Sequence, residues 1–182
     1  MKFIKTEISD VYIIEPSVFG DNRGYFLESF NLEKFEENVY PIKFVQDNES
    51  KSSKGVLRGL HFQKPPFEQS KLIRCIKGEV LDVALDLRKN SLTYGEYEIV
   101  KLSEHNKKQI FIPKGFAHAF LVLSESATVS YKVDNVYSPK SECGIIWNDP
   151  DLMVNWEIDE SKVIISEKDK NLDFLKNFKS PF

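Results

Sequence analysis

Short segments rich in β-branched and aromatic residues recur along the whole chain and are separated by Gly, Pro, Asn or Ser, a pattern typical of β-strands. Three such segments precede residue 50: VYIIEP (11–16), GYFLESF (24–30) and KFVQDN (43–48). After Gly55 the pattern predicts seven more strands: GVLRGLHFQ, SKLIRCI, EVLDVALDL, YEIVKL, KQIFIP, HAFLVL and TVSYKV. An antiparallel chain of this length has to bury one face and protect its edges, so the sequence predicts an all-β jelly roll or small barrel.

Two segments predict helical turns. LEKFEENV (32–39) follows Asn31, whose side chain can cap the first turn, and Pro41 comes soon after its end. Near the C-terminus, NLDFLKNF (171–178) predicts a short helical turn packed on the barrel. We therefore expect one domain with three parts: an N-terminal β segment (1–50), a barrel core (51–150) and a C-terminal extension (151–182).

A turn signal at Lys77-Gly78, within CIKGEVLDV, predicts a tight hairpin between two strands. Apolar and polar positions alternate beyond this turn: Leu81, Val83, Leu85 and Leu87 with Asp82, Ala84 and Asp86. Because neighbouring side chains of a strand point to opposite faces, this alternation predicts one face directed inward and one outward.

The composition narrows the class of protein. The chain has 182 residues with 14 Phe and 7 Tyr, and 25 Lys and Arg against 28 Asp and Glu give a net charge of −3. No broad positive field attracts nucleic acid or anionic lipid, and no apolar run approaches the ~20 residues that cross a bilayer. We expect a cytoplasmic protein without a nucleic-acid or membrane partner. Cys75 and Cys143 are widely spaced, which favours reduced core thiols over a disulfide or a zinc site.

Two of the three histidines do not by themselves indicate a function. His105 lies in the polar segment SEHNKKQ and is interpreted as a solvated loop residue. His118 lies in PKGFAHAFLVL and shares a strand face with Phe120 and Val122. For His118, a buried structural role and a functional role are equally compatible with the residues alone.

The third histidine, His61, marks a candidate site. It lies beside Arg58 and Gly59 in the otherwise apolar strand GVLRGLHFQ, where polar groups are costly unless they serve a site. Arg58 and His61 are three positions apart, so a regular strand would direct them to opposite faces. Glycine inside a strand often marks a bulge. We therefore predict a bulge near Gly59, with Arg58 and His61 both facing the cavity.

Several segments of the sequence resemble those of a known protein family. PKGFAH has the PxGxxH form of the second cupin motif, and GLHFQ stands where the first motif usually supplies a His-x-His pair. The chain resembles the dTDP-4-dehydrorhamnose 3,5-epimerase family in DNRGYFLESFN, FVQDNESKSSKGVLRGLHFQ, KLIRCIKGEVLDVALDLRKNSLTYG, IPKGFAHAFLVLSE, YKVDNVYSP and WNDPDL. The resemblance implies a cupin-type jelly roll that removes a proton next to the ketone of a nucleotide-linked 4-keto-6-deoxy sugar and returns one to the opposite face.

The histidine count argues against a metal. Most cupin metal sites need about three histidines and a carboxylate, because two imidazoles hold a first-row metal weakly. We therefore expect no metal and no cofactor, and a neutral imidazole that acts as a base near neutral pH.

The resemblance implies four catalytic residues. His61 would be the base, Asp169 would orient its imidazole, Tyr131 would deliver the returning proton, and Lys71 would lie near the developing enolate oxygen. In the strand VSYKV, parity with the flanking valines also predicts an inward Tyr131, although a core tyrosine with a satisfied hydroxyl fits the residues equally well. Without the resemblance, Asp169 and Lys71 would be interpreted as solvated surface residues.

The resemblance also implies substrate-binding residues. Arg23 and Arg58 would bind the diphosphate, because guanidinium groups suit its charge and shape. His118 would donate a hydrogen bond to the sugar, and Tyr137 would lie near it. Positions that would contact the nucleotide are Phe26, Glu28, Gln46 and Asn48. Family members form dimers whose N-terminal strands cross to the neighbour, so we expect a homodimer of the same kind.

Three alternatives stay open at this point. Phe67, Ser70 and Ala119 depart from the family pattern and lie beside Lys71 and His118, so a related 3-epimerase or 5-epimerase is one alternative. A noncatalytic sugar-binding jelly roll is the second, because fold alone does not define activity. The third is a metal-dependent cupin oxygenase or isomerase, which the histidine count disfavours.

Overall fold

A computed structural model describes residues 1–182 and consists mostly of β-strands. The thirteen strands are β1 (Lys2–Lys5), β2 (Tyr12–Glu15), β3 (Val18–Asp21), β4 (Gly24–Leu27), β5 (Gln46–Ser53), β6 (Leu57–Gln63), β7 (Lys71–Lys77), β8 (Glu79–Asp86), β9 (Tyr97–Ser103), β10 (Gln109–Ile112), β11 (Phe116–Val122), β12 (Ser126–Val133) and β13 (Glu142–Gly144). They form a six-stranded sheet in the order β1-β2-β10-β7-β12-β5, a five-stranded sheet in the order β13-β6-β11-β8-β9, and the separate hairpin β3-β4.

The two large sheets pack face to face around one interior. Ile73 and Val129 from the six-stranded sheet share a buried cluster with Ala84 and Phe120 from the five-stranded sheet. All neighbouring strands within these sheets are antiparallel. The predicted all-β, cupin-type jelly roll with an N-terminal β segment and short C-terminal helical turns is confirmed.

The helical predictions are also confirmed. Helix α1 spans Leu32–Asn38, and the Asn31 side chain accepts a hydrogen bond from the Lys34 amide at 3.1 Å, which satisfies one free donor of the first turn. Helix α2 spans Glu167–Lys170, and a 3₁₀ turn covers Leu175–Asn177. No helix is long and apolar enough to cross a membrane.

The predicted hairpin at Lys77-Gly78 is wrong. Strand β7 pairs with β10 and β12, whereas β8 pairs with β9 and β11, so the chain leaves one sheet and enters the other at Gly78. Gly78 has a φ of +79°, and an added Cβ would lie 2.2 Å from the Ser126 carbonyl oxygen. The close passage over β12, not a two-residue turn within one sheet, is what requires glycine here.

Strand β8 also departs from the expected inward and outward faces, because both faces are buried. Leu81 and Val83 pack with Trp147 and Trp156, which belong to the segment that follows β13 and covers the outer side of the sheet. Asp82 has no exposed surface. The polar residue therefore belongs to a face inside the barrel, while the leucines lie under the C-terminal extension.

Hairpin β3-β4 is the one strand pair outside the large sheets. Its residues are exposed except Leu27, and Phe19 and Phe26 are 66% and 68% exposed. Strands β1, β3 and β13 are short and were not predicted. The predicted strand KFVQDN starts only at Gln46 and continues to Ser53 as β5.

Candidate active site

The predicted bulge in β6 is confirmed. His61 pairs with His118 and Arg58 pairs with Phe120, so two residues of β6 lie opposite the single residue Ala119. Gly59 has a φ of +124°, and an added Cβ would lie 2.5 Å from the Ala119 Cβ. The extra residue resets the parity of the strand. As a result, Arg58 and His61 line the same cavity of about 600 Å³.

His61 forms a pair with a carboxylate from the far end of the chain. Its Nε2 lies 2.7 Å from Oδ1 of Asp169, and the Asp169 side chain is only 5% exposed. Burial is the largest single effect and raises the pKa of Asp169. The hydrogen bond and electrostatic attraction to His61, together with weaker hydrogen bonds, outweigh burial and hold that pKa below its ordinary value. An ionised Asp169 accepts the Nε2 proton of His61, which leaves Nδ1 with a free lone pair.

The segment after the barrel brings Asp169 to this position, and it is held on both sides. Upstream, the Leu57 amide donates to the Ile164 carbonyl at 2.9 Å. Downstream, the Ile146 amide donates to the Asp173 carbonyl at 2.9 Å. Between these anchors the Ser166 side chain caps α2 by accepting from the Asp169 amide at 3.1 Å. Sequence separation hides this contact, because His61 and Asp169 are 108 residues apart.

A second histidine–aspartate pair lies next to the first on the five-stranded sheet. His118 Nε2 lies 2.9 Å from Oδ2 of Asp82, and the His118 side chain is 9% exposed. Burial lowers the pKa of His118, although the Asp82 carboxylate opposes this effect. The other oxygen of Asp82, Oδ1, is buried and has no hydrogen-bond partner. His118 shares its strand face with Phe120 as predicted, and both line the cavity.

Tyr131 and Lys71 line the cavity from the six-stranded sheet. Tyr131 alternates with the buried Val129 and Val133 along β12, and burial raises the pKa of its phenol. Lys71 is the first residue of β7. Burial lowers the pKa of Lys71 to about 8, while Asp82 opposes the shift. The inward orientation predicted for Tyr131 is confirmed, and Lys71 is not the solvated residue that its position alone suggested.

A cluster of polar side chains lies at the cavity margin. The Tyr137 hydroxyl donates to Oε2 of Glu142 at 2.7 Å, and Nζ of Lys168 lies 2.5 Å from the same carboxylate. Arg58 is exposed along this margin, and its Nε donates to the Ser52 hydroxyl at 3.1 Å. The cavity therefore has a cationic and hydrogen-bonding rim around a more enclosed interior.

Some predicted binding residues do not reach this cavity. Gln46 and Asn48 line an adjoining recess, which shares His61, Lys71 and Tyr131 with the cavity. Arg23 instead pairs with Asp21 on hairpin β3-β4 at 2.5 Å. Phe26 lies exposed on the same hairpin, and the Glu28 carboxylate accepts from Lys34 at 2.7 Å. Within one chain, Arg23, Phe26 and Glu28 remain apart from His61.

Three residues of the site were missed from the sequence: Glu142 and Lys168, which line the cavity, and Asp82, which holds His118. An aspartate within the largely apolar strand EVLDVALDL was the signal for Asp82, because a buried carboxylate needs a partner. Glu142 and Lys168 look like ordinary surface charges. His105 is exposed in a turn as predicted, and Cys75 and Cys143 are free.

The fold and the site define a class of protein, a cupin-type jelly roll whose cavity contains two histidine–aspartate pairs, a lysine and a tyrosine. No group of three or more His, Cys, Asp or Glu side chains is arranged to hold a metal ion. The family model described as dTDP-4-dehydrorhamnose 3,5-epimerase matches residues 5–177. The chain belongs to the dTDP-4-dehydrorhamnose 3,5-epimerase family.

Named relatives agree with this assignment. The dTDP-4-dehydrorhamnose 3,5-epimerase of Escherichia coli (strain K12) is 55% identical over 173 residues, which cover 94% of this chain and 93% of the relative. The crystal structure of the enzyme of the same name from Elizabethkingia anophelis has a TM-score of 0.94 at 53% identity and covers 97% of both chains. The dTDP-6-deoxy-D-glucose-3,5-epimerase RmlC of Legionella pneumophila, in complex with dTDP-4-keto-L-rhamnose, has a TM-score of 0.94 at 46% identity over 98% of this chain and 94% of that one.

Proposed function

We propose that this protein epimerises a nucleotide-linked 4-keto-6-deoxyhexose and converts dTDP-4-dehydro-6-deoxy-D-glucose to dTDP-4-dehydro-L-rhamnose. One observation carries the proposal: the His61–Asp169 pair lines the same cavity as Tyr131, and His61 and Tyr131 come from opposite sheets. Inversion needs a base on one face of the sugar ring and an acid on the other. Family membership and the names of the relatives support the same reaction.

In this proposal, His61 removes the proton from the carbon next to the ketone. Its Nε2 is held by Asp169, so Nδ1 takes the proton and the imidazole becomes an imidazolium. The negative charge of Asp169 stabilises that cation and fixes the tautomer that is ready to accept again. The electron pair of the broken C–H bond moves toward the ketone oxygen and forms an enolate.

Lys71 stabilises the enolate oxygen in this scheme. An ammonium group in an enclosed cavity interacts more strongly with developing negative charge than it would in water. With a pKa of about 8, Lys71 is mostly charged at neutral pH. Tyr131 then donates its proton to the carbon from the opposite face, and the phenol is available because burial raises its pKa. His61 then releases its extra proton to solvent, and the Tyr131 phenolate takes up a proton from solvent.

The experiment is incubation of the protein with a dTDP-4-keto-6-deoxyhexose in deuterated water, followed by NMR. Deuterium at both carbons beside the ketone is the expected result and supports the 3,5-epimerase. Label at one carbon supports a 3-epimerase or a 5-epimerase, and no label with the sugar bound supports a binding protein. In a His61→Ala variant, exchange should fall at least about 10²-fold. Exchange at the wild-type rate in that variant contradicts the proposed mechanism.

We further propose that the chain works as a homodimer with exchanged N-terminal strands. Hairpin β3-β4 is separate from both large sheets and exposes Phe19 and Phe26, which is unfavourable for an isolated chain. Arg23 and Glu28 lie near this hairpin and do not line the cavity of their own chain. An exchange would bring these residues to the cavity of the neighbour and complete the binding site for the nucleotide.

Mixing two inactive variants tests this exchange. A subunit with His61→Ala keeps its hairpin, and a subunit with Arg23→Ala keeps its base. If the strands are exchanged, a mixed dimer contains one intact site, and random association restores about a quarter of the sites. Recovery of activity after unfolding and refolding the two variants together is expected. A monomeric mass in light scattering, or no recovery from a mixture that forms dimers, contradicts the proposal.

A further inference from the structure

Gln63, the glutamine that ends the segment GLHFQ, has no part in the reaction described above, yet its side chain is buried. Gln63 ends strand β6 and is 6% exposed. Its Nε2 donates to the carbonyl oxygens of Phe67 at 2.6 Å and Val136 at 3.1 Å. Its Oε1 accepts from the amide of Ser138 at 2.6 Å. Both N–H bonds of the side-chain amide are therefore used by main-chain acceptors.

Two of these three contacts flank Tyr137 directly. The side chain of Gln63 bonds the carbonyl of the residue before Tyr137 and the amide of the residue after it. It thus replaces the main-chain partners that a neighbouring strand would supply. Tyr137 is 54% exposed, so packing alone does little to fix the direction of its side chain.

The other end of the tyrosine is fixed from the strand next to Gln63. The Tyr137 hydroxyl donates to Glu142, and Glu142 is the register partner of Gln63 in the β13–β6 pair. The glutamine holds the main chain of Tyr137 while its cross-strand neighbour holds the hydroxyl. The ring is thereby directed along the margin of the cavity that His61 lines.

We infer that Gln63 is a positioning residue that sets substrate affinity through Tyr137. This inference rests on the proposed function, because it assumes that Tyr137 contacts the nucleotide-sugar. Gln63 also lines the recess that adjoins the cavity, but both of its donors are engaged, so it has no N–H left for a ligand and acts through the loop that it holds. Loss of the glutamine should raise KM more than it lowers kcat, because the base, the acid and the lysine keep their places.

The test combines Gln63→Leu with Tyr137→Ala in a double-mutant cycle. Gln63→Leu is expected to raise KM for the ketosugar about tenfold and to change kcat less than threefold. The dissociation constant of dTDP-glucose, which lacks the ketone and so reports binding alone, should rise by a similar factor. In the Tyr137→Ala background, Gln63→Leu should change neither constant by more than twofold.

A matched control is available in the turn between β9 and β10. The Asn106 side chain donates to the Lys101 carbonyl at 2.8 Å and accepts from the main-chain amides of Ser103 and Lys108, so it holds a loop in the same way but lines neither the cavity nor the adjoining recess. Asn106→Leu should leave KM within twofold of the wild type. Gln63→Met provides a second variant of nearly the same length. It loses the three hydrogen bonds without placing a charged oxygen against the two carbonyls, so a rise in KM similar to that of Gln63→Leu is expected.

Each outcome separates the inference from the proposed function. A wild-type protein that binds dTDP-glucose but exchanges no deuterium contradicts the epimerase and leaves the binding cycle measurable. A wild-type epimerase in which Gln63→Leu raises KM equally with and without Tyr137 overturns the positioning role. So does a folded Gln63→Leu variant that loses kcat at an unchanged KM. If Gln63→Leu does not fold, Gln63→Met carries the same comparison.

Discussion

The two histidine–aspartate pairs of the cavity have similar geometry but different surroundings. The His61 side chain is 28% exposed and takes its carboxylate from the C-terminal extension, whereas the His118 side chain is 9% exposed and takes its carboxylate from the adjacent strand β8. Burial lowers the pKa of His118, so that imidazole resists a positive charge. An aspartate beside a histidine therefore does not by itself make a base. The imidazole of the pair must also be exposed enough to the cavity to take up a proton and hold a positive charge.

Replacement of the two histidines gives the largest expected difference. His61→Asn should lower kcat about 10³-fold, because the proposed general base is lost. His118→Asn should lower kcat/KM only about tenfold, as expected for one hydrogen bond to the sugar. Steady-state kinetics with the ketosugar checks both values. Equal losses in the two variants would remove the distinction between the pairs.

Replacement of the two aspartates should give the same order of effects as replacement of the histidines, with smaller losses of activity. Asp169→Asn removes the charge that stabilises the imidazolium of His61, and we expect a loss of about 10² in kcat. Asp82→Asn keeps an oxygen acceptor beside His118, which stays neutral in the proposed cycle, so kcat should fall less than about fivefold at pH 7. Circular dichroism controls for folding. A larger effect at Asp82 than at Asp169 would contradict the assignment of the base.

The pH dependence of the reaction sharpens the role of Asp82. The pKa of Lys71 is about 8 because burial lowers it and Asp82 opposes the shift. The ammonium form should be the active one, so kcat/KM should decrease as the pH rises through about 8. Asp82→Asn should move this decrease to lower pH, and Lys71→Arg should remove it from the range below pH 10. An alkaline limb that is unchanged in both variants would argue against Lys71 at the enolate oxygen.

Stability should show the smallest effect. The pKa of folded His118 is lowered, so between its ordinary value near 6.5 and its folded value the unfolded chain binds a proton that the folded protein does not. The free energy of unfolding should therefore decrease on acidification below pH 6.5, by at most about 1.4 kcal/mol per pH unit from this group. Urea denaturation at pH 7 and pH 5.5 measures the slope. His118→Asn should reduce it, and an unchanged slope in that variant would contradict the prediction.

The sequence was most informative where a local rule has few exceptions. Asn31 caps α1, and Gly59 produces the bulge that directs Arg58 and His61 into one cavity. The turn at Gly78 shows the limit of such rules, because the same glycine serves a hairpin or a crossing between sheets. Only the partners of β7 and β8 distinguish the two, and those partners are distant in the chain.

The site was less predictable than the fold for the same reason. The inward position of Asp82 depends on a covering layer from the C-terminal extension, which buries the leucine face of β8 that otherwise would turn inward. Asp169 became a candidate only through the resemblance, since nothing near it in sequence distinguishes it from a surface residue. Glu142 and Lys168 can be recognised as site residues only in the folded structure, where Glu142 accepts from the Tyr137 hydroxyl and pairs with Lys168.

The late position of Asp169 in the chain has a consequence for biosynthesis. A nascent polypeptide that stops before residue 169 can already contain every strand of both sheets, including the one that bears His61. Such a chain lacks the carboxylate that holds His61 Nε2, and with it the hydrogen bond that orients the imidazole. Synthesis must therefore pass residue 169 before the histidine–aspartate pair is complete.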